Sequence, residues 1–451
     1  MNRRFLAAVL LVGLAGLPGC ALGGFEAGVE AAERGDYAAA ARQWRPPAER
    51  GEALAQFNLG ALYAEGKGVR HDSREAVRWY RLAAVQGLPE AQYNLGLMYA
   101  EGGGVEQDYA AAAAWYRLAA EQELAVAQYN LGNLYANGLA VEQDYAEAGQ
   151  WYRRAATQGH AAAQTMLGGL YEKGLGVPQD FAQAAIWWRK AAAQGHVEAQ
   201  TTLGALFEKG LGVPQDYGEA AAWLRQAAEQ GHGEAQTNLG FFYARGLGVQ
   251  QDYVEAANWW REAAFRGVPA AQTNLGVLYE KGWGVRQSYS EALRWWQLAA
   301  DQGYPDAQHN LAYMYANGQG VPKDYAEAVK WWRSAAAKNL PIAQHYLGVM
   351  YAKGQGVPQN HREAAKWYRA AAERGFADAQ LELGELYRRG RGVPGNKVQA
   401  HLWLNLASAA YPPGEDRAEA VNRRDRLAEN MTPAQLSEAE RLARQWRPKS
   451  G

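Results

Sequence analysis

Residues able to do chemistry are few. The 451-residue chain has one cysteine, Cys20, whose thiol can be modified but cannot pair within the chain. His309 and His345 stand 36 residues apart, which on adjacent packed helices would put them about 10 Å from each other. Neither has a cysteine or carboxylate at a metal-ligand offset, so no metal is expected. His160, His196 and His232 each follow a glycine at the same step, and read as loop positions rather than a cluster. No Gly-x-Ser-x-Gly, HExxH or phosphate-binding loop occurs. No Ser/Lys or Ser/His arrangement stands outside a regular 36-residue pattern. The Trp-Trp pairs at 187/188, 259/260, 295/296 and 331/332 could form a carbohydrate platform, but their fixed register favours packing. No catalytic residue, cofactor or small-molecule substrate is therefore expected.

The elements that position these residues come from a repeat. Hydrophobic residues make up 48% and charged residues 21%, as in a soluble folded protein. The net charge of -1, from 46 basic and 47 acidic residues, argues against nucleic acid as a partner. Length alone suggests about three domains, yet 51 Gly and 17 Trp point to a copied motif. Leu-Gly closes at Gly60, Gly96, Gly132, Gly168, Gly204, Gly240, Gly276, Gly348 and Gly384, with Leu311-Ala312 filling the gap. A Trp column runs from Trp79 to Trp403, and a Val column from Val69 to Val393, at the same step of 36.

One unit reads QTMLGGLYEKGLGVPQDFAQAAIWWRKAAAQGHVEAQ from Gln164. Leu167, Leu170 and Tyr171 have i, i+3, i+4 spacing and predict an amphipathic first helix. Gly174 follows as its left-handed stop, and Val177 is the apolar anchor of the turn. Asp180 caps a second helix, with Gln183 completing a capping box; only Asp108, followed by Ala111, lacks that partner. Ala184, Trp187, Trp188 and Ala191 line the second helix, and Gly195 ends it. A lone hairpin cannot bury both its apolar faces, so neighbours must stack. The small Leu-Gly residue is expected to let the first helix approach a neighbour's backbone. Gln56 and its equivalents, present in every unit, are expected to pack and hydrogen-bond.

The segment AQYNLGLMYAEGGGVEQDYAAAAAWYRLAAEQ, residues 91–122, resembles the Sel-1-like repeat, a tetratricopeptide-related αα hairpin. The resemblance implies an all-α fold, an α/α superhelical solenoid of about ten 36-residue helix-turn-helix repeats. It also implies a protein-interaction scaffold without catalysis. The expected organisation is a lipoprotein signal peptide at 1–19, a lipid-attachment segment with a degenerate capping hairpin at 20–51, ten repeats at 52–410, and C-terminal capping helices at 411–451. In the last of these, Thr432-Pro433-Ala434-Gln435 should open a helix whose Leu436, Ala439, Leu442, Ala443 and Trp446 cover the end of the stack.

The basic start Met1-Asn2-Arg3-Arg4 and the short apolar run at 5–17 read as a signal peptide. Leu17-Pro18-Gly19-Cys20 resembles the bacterial lipobox, which would make Cys20 the acylated first residue, carrying chains such as palmitate. A conventional cleavage near Gly24, discarding an unmodified Cys20, is the alternative. Ala21 after the cysteine implies sorting to the periplasmic face of the outer membrane; a soluble periplasmic or secreted protein is the alternative location.

Function is expected where the units differ. Mapping the first helix onto the tetratricopeptide pattern puts partner-facing side chains at Phe57, Tyr93, Tyr129, Thr165, Thr201, Thr237, Thr273, His309 and His345. A second column runs Ala61, Leu97, Asn133, Gly169, Ala205, Phe241, Val277, Tyr313, Val349, Glu385. A third changes from Glu65 and Glu101 to Lys173, Lys209, Arg245, Lys281, Lys353 and Arg389. Such a face suits protein partners or extended peptide segments of the envelope, with aromatic anchors. The lipidated N-terminus would supply contact with the membrane. The alternatives are a β-lactamase-like or cell-wall-active enzyme and a secreted factor engaging host proteins.

Overall fold

A computed structural model describes residues 23–139 and 141–449; Cys20 and the signal sequence lie outside them. All 24 regular elements among the described residues are helices. The chain divides into two units, residues 1–227 and 228–451. Each is a stack of helical hairpins, and the hairpins obey one set of local rules.

In the repeat built from helices Ala161–Lys173 and Phe181–Ala193, Gly174 ends the first helix in the left-handed conformation (φ 66°). The second loop glycine, Gly176, also has positive φ (67°), and a Cβ there would lie 2.3 Å from the Tyr145 carbonyl carbon. The first glycine serves the turn, and the second lets the loop sit on the preceding repeat. The loop valine is half-buried, and several of its equivalents, Val69, Val105, Val285 and Val357 among them, pack on the apolar cores.

Asp180 caps the second helix, its Oδ1 accepting from the N–H groups of Ala182 (2.9 Å) and Gln183 (3.0 Å). The other half of the expected box is absent. The Asp180 N–H donates instead to the Tyr171 carbonyl (2.9 Å), an unpaired acceptor of the first helix's last turn. The same bond recurs from Asp72, Asp108, Asp144 and Asp324, which explains why Ala111 suffices after Asp108. Glu147 uses its carboxylate elsewhere, accepting from Trp151 Nε1 at 3.0 Å.

The Leu-Gly contact also differs from expectation. A Cβ on Gly168 would lie 2.6 Å from Trp188 Nε1, and one on Gly60 2.9 Å from the Tyr80 ring. The small residue therefore meets the large side chain of its own second helix, not a neighbour's backbone. Neighbours are joined by the glutamines. Gln164 Nε2 donates to the Ala156 carbonyl eight residues earlier (3.0 Å), and its Oε1 accepts from Gln194 thirty residues later (2.8 Å). The column Trp fills the layer between hairpins: Trp151 joins a core with Tyr116, Ala127 and Leu131.

The hairpin Gly23–Glu33/Tyr37–Glu49 caps the first unit. It keeps the repeat's seam on a shorter turn: a Cβ on Gly28 would strike Trp44, whose indole N–H donates to the Phe25 carbonyl (3.1 Å). In the second unit, helices Glu415–Ala428 and Pro433–Gln445 follow the last repeat. Thr432 and Gln435 form the full capping box, with N–H···O distances of 3.0 and 3.2 Å. Ala439 is buried, and Trp446 packs on the core containing Leu383 and Trp403. The tail then returns to the repeats, Lys449 bonding Glu373 through its N–H (2.8 Å) and its ammonium (2.7 Å).

Candidate partner-binding surface

The first predicted column does not line an open face. Phe57, Tyr93, Thr201, Thr237, Thr273 and His345 are buried, and Tyr129, Thr165 and His309 are half-buried. Each lies one turn before the Leu-Gly residue and so shares its side of the helix, against the second helix of the same hairpin. Phe57 packs on Tyr80 (5.8 Å between ring centroids), Tyr93 on Tyr116 (5.7 Å) and Tyr129 on Tyr152 (6.0 Å). The next N-cap residue closes the other side, as with His160 stacked on Tyr129 (4.9 Å) and Phe376 on His345 (5.3 Å).

This seam explains the change of residue type along the column. Opposite Tyr80, Tyr116 and Tyr152 the column holds Phe or Tyr. Opposite Trp188, Trp260 and Trp296 a smaller Thr makes room. The indole N–H groups of these three tryptophans donate to the carbonyls of Thr165, Thr237 and Thr273 at 3.0, 2.8 and 2.9 Å. The four threonine hydroxyls are satisfied by the carbonyl four residues back. In these repeats the zoning conserves volume across a seam; Thr201, opposite Leu224, is an exception.

The histidines belong to the same seam. Trp332 Nε1 donates to His309 Nδ1 (3.1 Å), and Tyr346 stacks on Trp332 (5.1 Å, 8° between planes). His345 sits among Tyr346, Tyr368 and Phe376. Burial pulls both imidazoles down to about 4, so they stay neutral near pH 7. Burial likewise pushes the Tyr80, Tyr116 and Tyr368 hydroxyls above the usual phenol range. Among the described residues no three His, Cys, Asp or Glu side chains converge as metal ligands.

The other two columns supply the outward surface. Phe241 and Tyr313 are exposed, Leu97, Val277 and Val349 are half-exposed, and Ala61 and Glu385 are buried. Glu385 accepts from Arg388 (2.8 Å) and Arg389 (3.1 Å), and these cations hold its carboxyl below the usual range against the opposing effect of burial. In the third column Lys173, Lys209, Arg245, Lys281, Lys353 and Arg389 are all exposed, whereas Glu65 is taken by Lys67 (2.6 Å). Two exposed aromatics, Phe265 and Trp283, lie outside all three columns. The signal of Trp283 in the sequence is a tryptophan off the tryptophan register.

The Sel1 repeat model matches ten consecutive segments: 53–88, 89–124, 125–160, 161–196, 197–232, 233–267, 269–304, 305–340, 341–376 and 377–411. Among solved structures, the chain is similar to a protective antigen of uropathogenic Escherichia coli strains, described as displaying an SLR fold. That likeness has 36% identity and a TM-score of 0.62, and covers 90% of this chain and 94% of the other. A Sel1 repeat protein from Oxalobacter formigenes is 35% identical with a TM-score of 0.56, covering 73% of this chain and 92% of its own. No curated protein matches the chain. Ten matched segments, hairpins of one construction and two extensive structural likenesses agree: the chain belongs to the Sel1 repeat family.

Proposed function

We propose that this protein is a non-catalytic, protein-binding scaffold of the bacterial cell envelope, held at the periplasmic face of the outer membrane by lipid on Cys20. The observation that carries the reading is a division of labour. Side chains that recur in every repeat, together with the variable first column, are consumed in seams and inter-repeat bonds, while variable residues of the second and third columns, such as Phe241, Tyr313 and the exposed cations from Lys173 to Lys353, face outward. A surface of this kind recognises partners by pattern. The column hydroxyl that lies beside an imidazole, Thr165 at 3.1 Å from His196 Nδ1, donates its proton to the Ala161 carbonyl (3.1 Å), so this contact lends the cell-wall-active enzyme no support. The description of the Escherichia coli relative as a protective antigen supports a location outside the cytoplasm for this chain too. It also keeps a secreted, host-directed factor as the second reading.

Two experiments test this. A photoreactive residue at Lys209 or Lys353 should give discrete crosslinked partners in cells, beyond any formed from exposed Ala193 on a second helix. Equal, diffuse crosslinking from all three positions sinks the scaffold reading. Globomycin should block maturation of the wild-type chain and leave Cys20→Ser unaffected; identical processing of both removes the lipid anchor and favours the secreted reading.

A further inference from the structure

One site, whose assignment rests on the scaffold reading, is built unlike its counterparts in other repeats. In the second unit, Phe241 (40% exposed) occupies a position that is Ala61 or Ala205 in other repeats. Trp283 (46% exposed) occupies a loop position that is Leu175, Leu211 or Leu247 elsewhere. Neither is required by the seam, because repeats lacking them close in the same way. Both open onto one cavity of 570 Å³, with Tyr253, Val277 and Leu278 among its walls. Trp283 rests against Tyr253 (5.2 Å between centroids), which fixes its ring at the rim.

Of the polar side chains lining the cavity, Gln251 is held by the Ala244 carbonyl (2.9 Å) and the Tyr253 hydroxyl (3.2 Å), which leaves Arg245 to meet a ligand's charge. Arg245 lies with its guanidinium 5.4 Å from the Phe241 ring centroid and forms no ion pair among the described residues. Glu280, at the end of the next first helix, is already paired with Lys281 (3.3 Å). Stacking on Phe241 restrains Arg245 before any ligand arrives, so little side-chain freedom is lost on binding. An apolar recess takes a large apolar side chain, and an unpaired, oriented guanidinium takes a carboxylate through two parallel N–H···O bonds.

We propose that the cavity between Phe241 and Trp283 binds an acidic protein segment, one aromatic or large aliphatic side chain entering the recess while an adjacent carboxylate pairs with Arg245. Phe241 and Trp283 are the walls, and Arg245 selects for charge.

The repeats supply conservative replacements for the test. Phe241→Ala, Arg245→Asn and Trp283→Leu each install a residue that another repeat carries at that position (Ala205, Asn317 and Leu247), so the seam is kept. A library of random short peptides displayed on phage is panned on the wild-type protein and on the triple variant. The expected result is enrichment, on the wild type alone, of peptides pairing Asp or Glu with Phe, Trp or Leu. A synthetic peptide so selected should lose roughly tenfold or more in affinity on the triple variant. Arg245→Asn alone should abolish the preference for acids over their amides. Enrichment that is equal on both proteins, absent, or basic in character overturns the proposal. In cells, a triple variant that keeps every partner crosslinked from Lys209 and Lys353 also overturns it while leaving the scaffold reading intact; loss of all partners from the wild type would sink the scaffold reading instead.

Discussion

Replacing Gly276 by alanine puts a methyl carbon 2.4 Å from Trp296 Nε1 and 2.6 Å from its Cδ1. The indole is 2% exposed and its N–H is committed to the Thr273 carbonyl at 2.9 Å, so it cannot move without losing that bond. An unpaired buried donor costs about 1–3 kcal/mol, and overpacking adds about 1–3 kcal/mol. Alanine returns about 1 kcal/mol of helix propensity. The net loss should be about 1–5 kcal/mol, centred near 3. The next repeat already contains the remedy. Ala312 stands where the glycine would be, and there Trp332 donates to the His309 side chain (3.1 Å) and is covered by Tyr346. Adding Thr273→His to Gly276→Ala should therefore return about 1 kcal/mol relative to the sum of the single changes, and Asn310→Tyr should extend the recovery. Urea denaturation, with amide exchange across helices Pro269–Lys281 and Tyr289–Asp301, measures both effects. A neutral Gly276→Ala, or strict additivity with Thr273→His, would refute this account of the seam.

Acidification should loosen the second unit first. His309 and His345 titrate near 4 when folded but near 6.5 when unfolded, so the unfolded chain binds more protons and stability falls as pH drops from about 6.5 towards 4. The loss amounts to a few kcal/mol, and denaturation midpoints between pH 7 and about 4.5 that do not move would contradict it. Gly176→Ala should cost about 2 kcal/mol or more, since it combines positive φ with a backbone collision. Gly159→Ala, at φ 91° with nothing within 4 Å, should cost only about 1 kcal/mol; equal losses from the two would remove the inter-repeat role of the second loop glycine. Gln164→Leu should speed amide exchange in both adjoining repeats, because one carboxamide serves both; an effect confined to one repeat would argue against that role.

The hairpins are legible because their signals are local and repeated: a glycine stop, an Asp cap and i, i+3, i+4 apolar spacing. The side of the helix that faces a partner is not. The tetratricopeptide pattern turns Phe57 outward, yet it lies three residues before Gly60, and a residue at that offset shares the close-contact side. Its pairing with Tyr80 across the hairpin shows in the sequence as matching changes 23 residues apart: Tyr mostly with Phe or Tyr, Trp with Thr or His. The cap follows similar logic. Asp180 and Gln183 fit a capping box, but a carbonyl on the preceding helix takes the Asp N–H. Such competition between an intrahelical and a tertiary partner depends on how the turn folds, which spacing alone does not report. Trp283 stands off every column, and an exceptional side chain shows only against their regularity.

From Gln92 to Gln164 the glutamine bonds reach back eight residues and forward thirty; Gln200 and Gln236 keep the same backward reach and also bond partners twenty-six residues on. Excising 36 residues between equivalent points of these repeats joins one such glutamine to the partners of another, and strands no additional buried amide. A slip of any other length breaks the bond, the loop contact and the seam together. Unequal recombination within the gene can thus lengthen or shorten the protein in whole repeats while preserving its interior. The outward side chains, bound to no such rule, are reshuffled in the process. Changes of partner can in this way arise from the same genetic event as changes of length, without passing through an unfolded intermediate sequence.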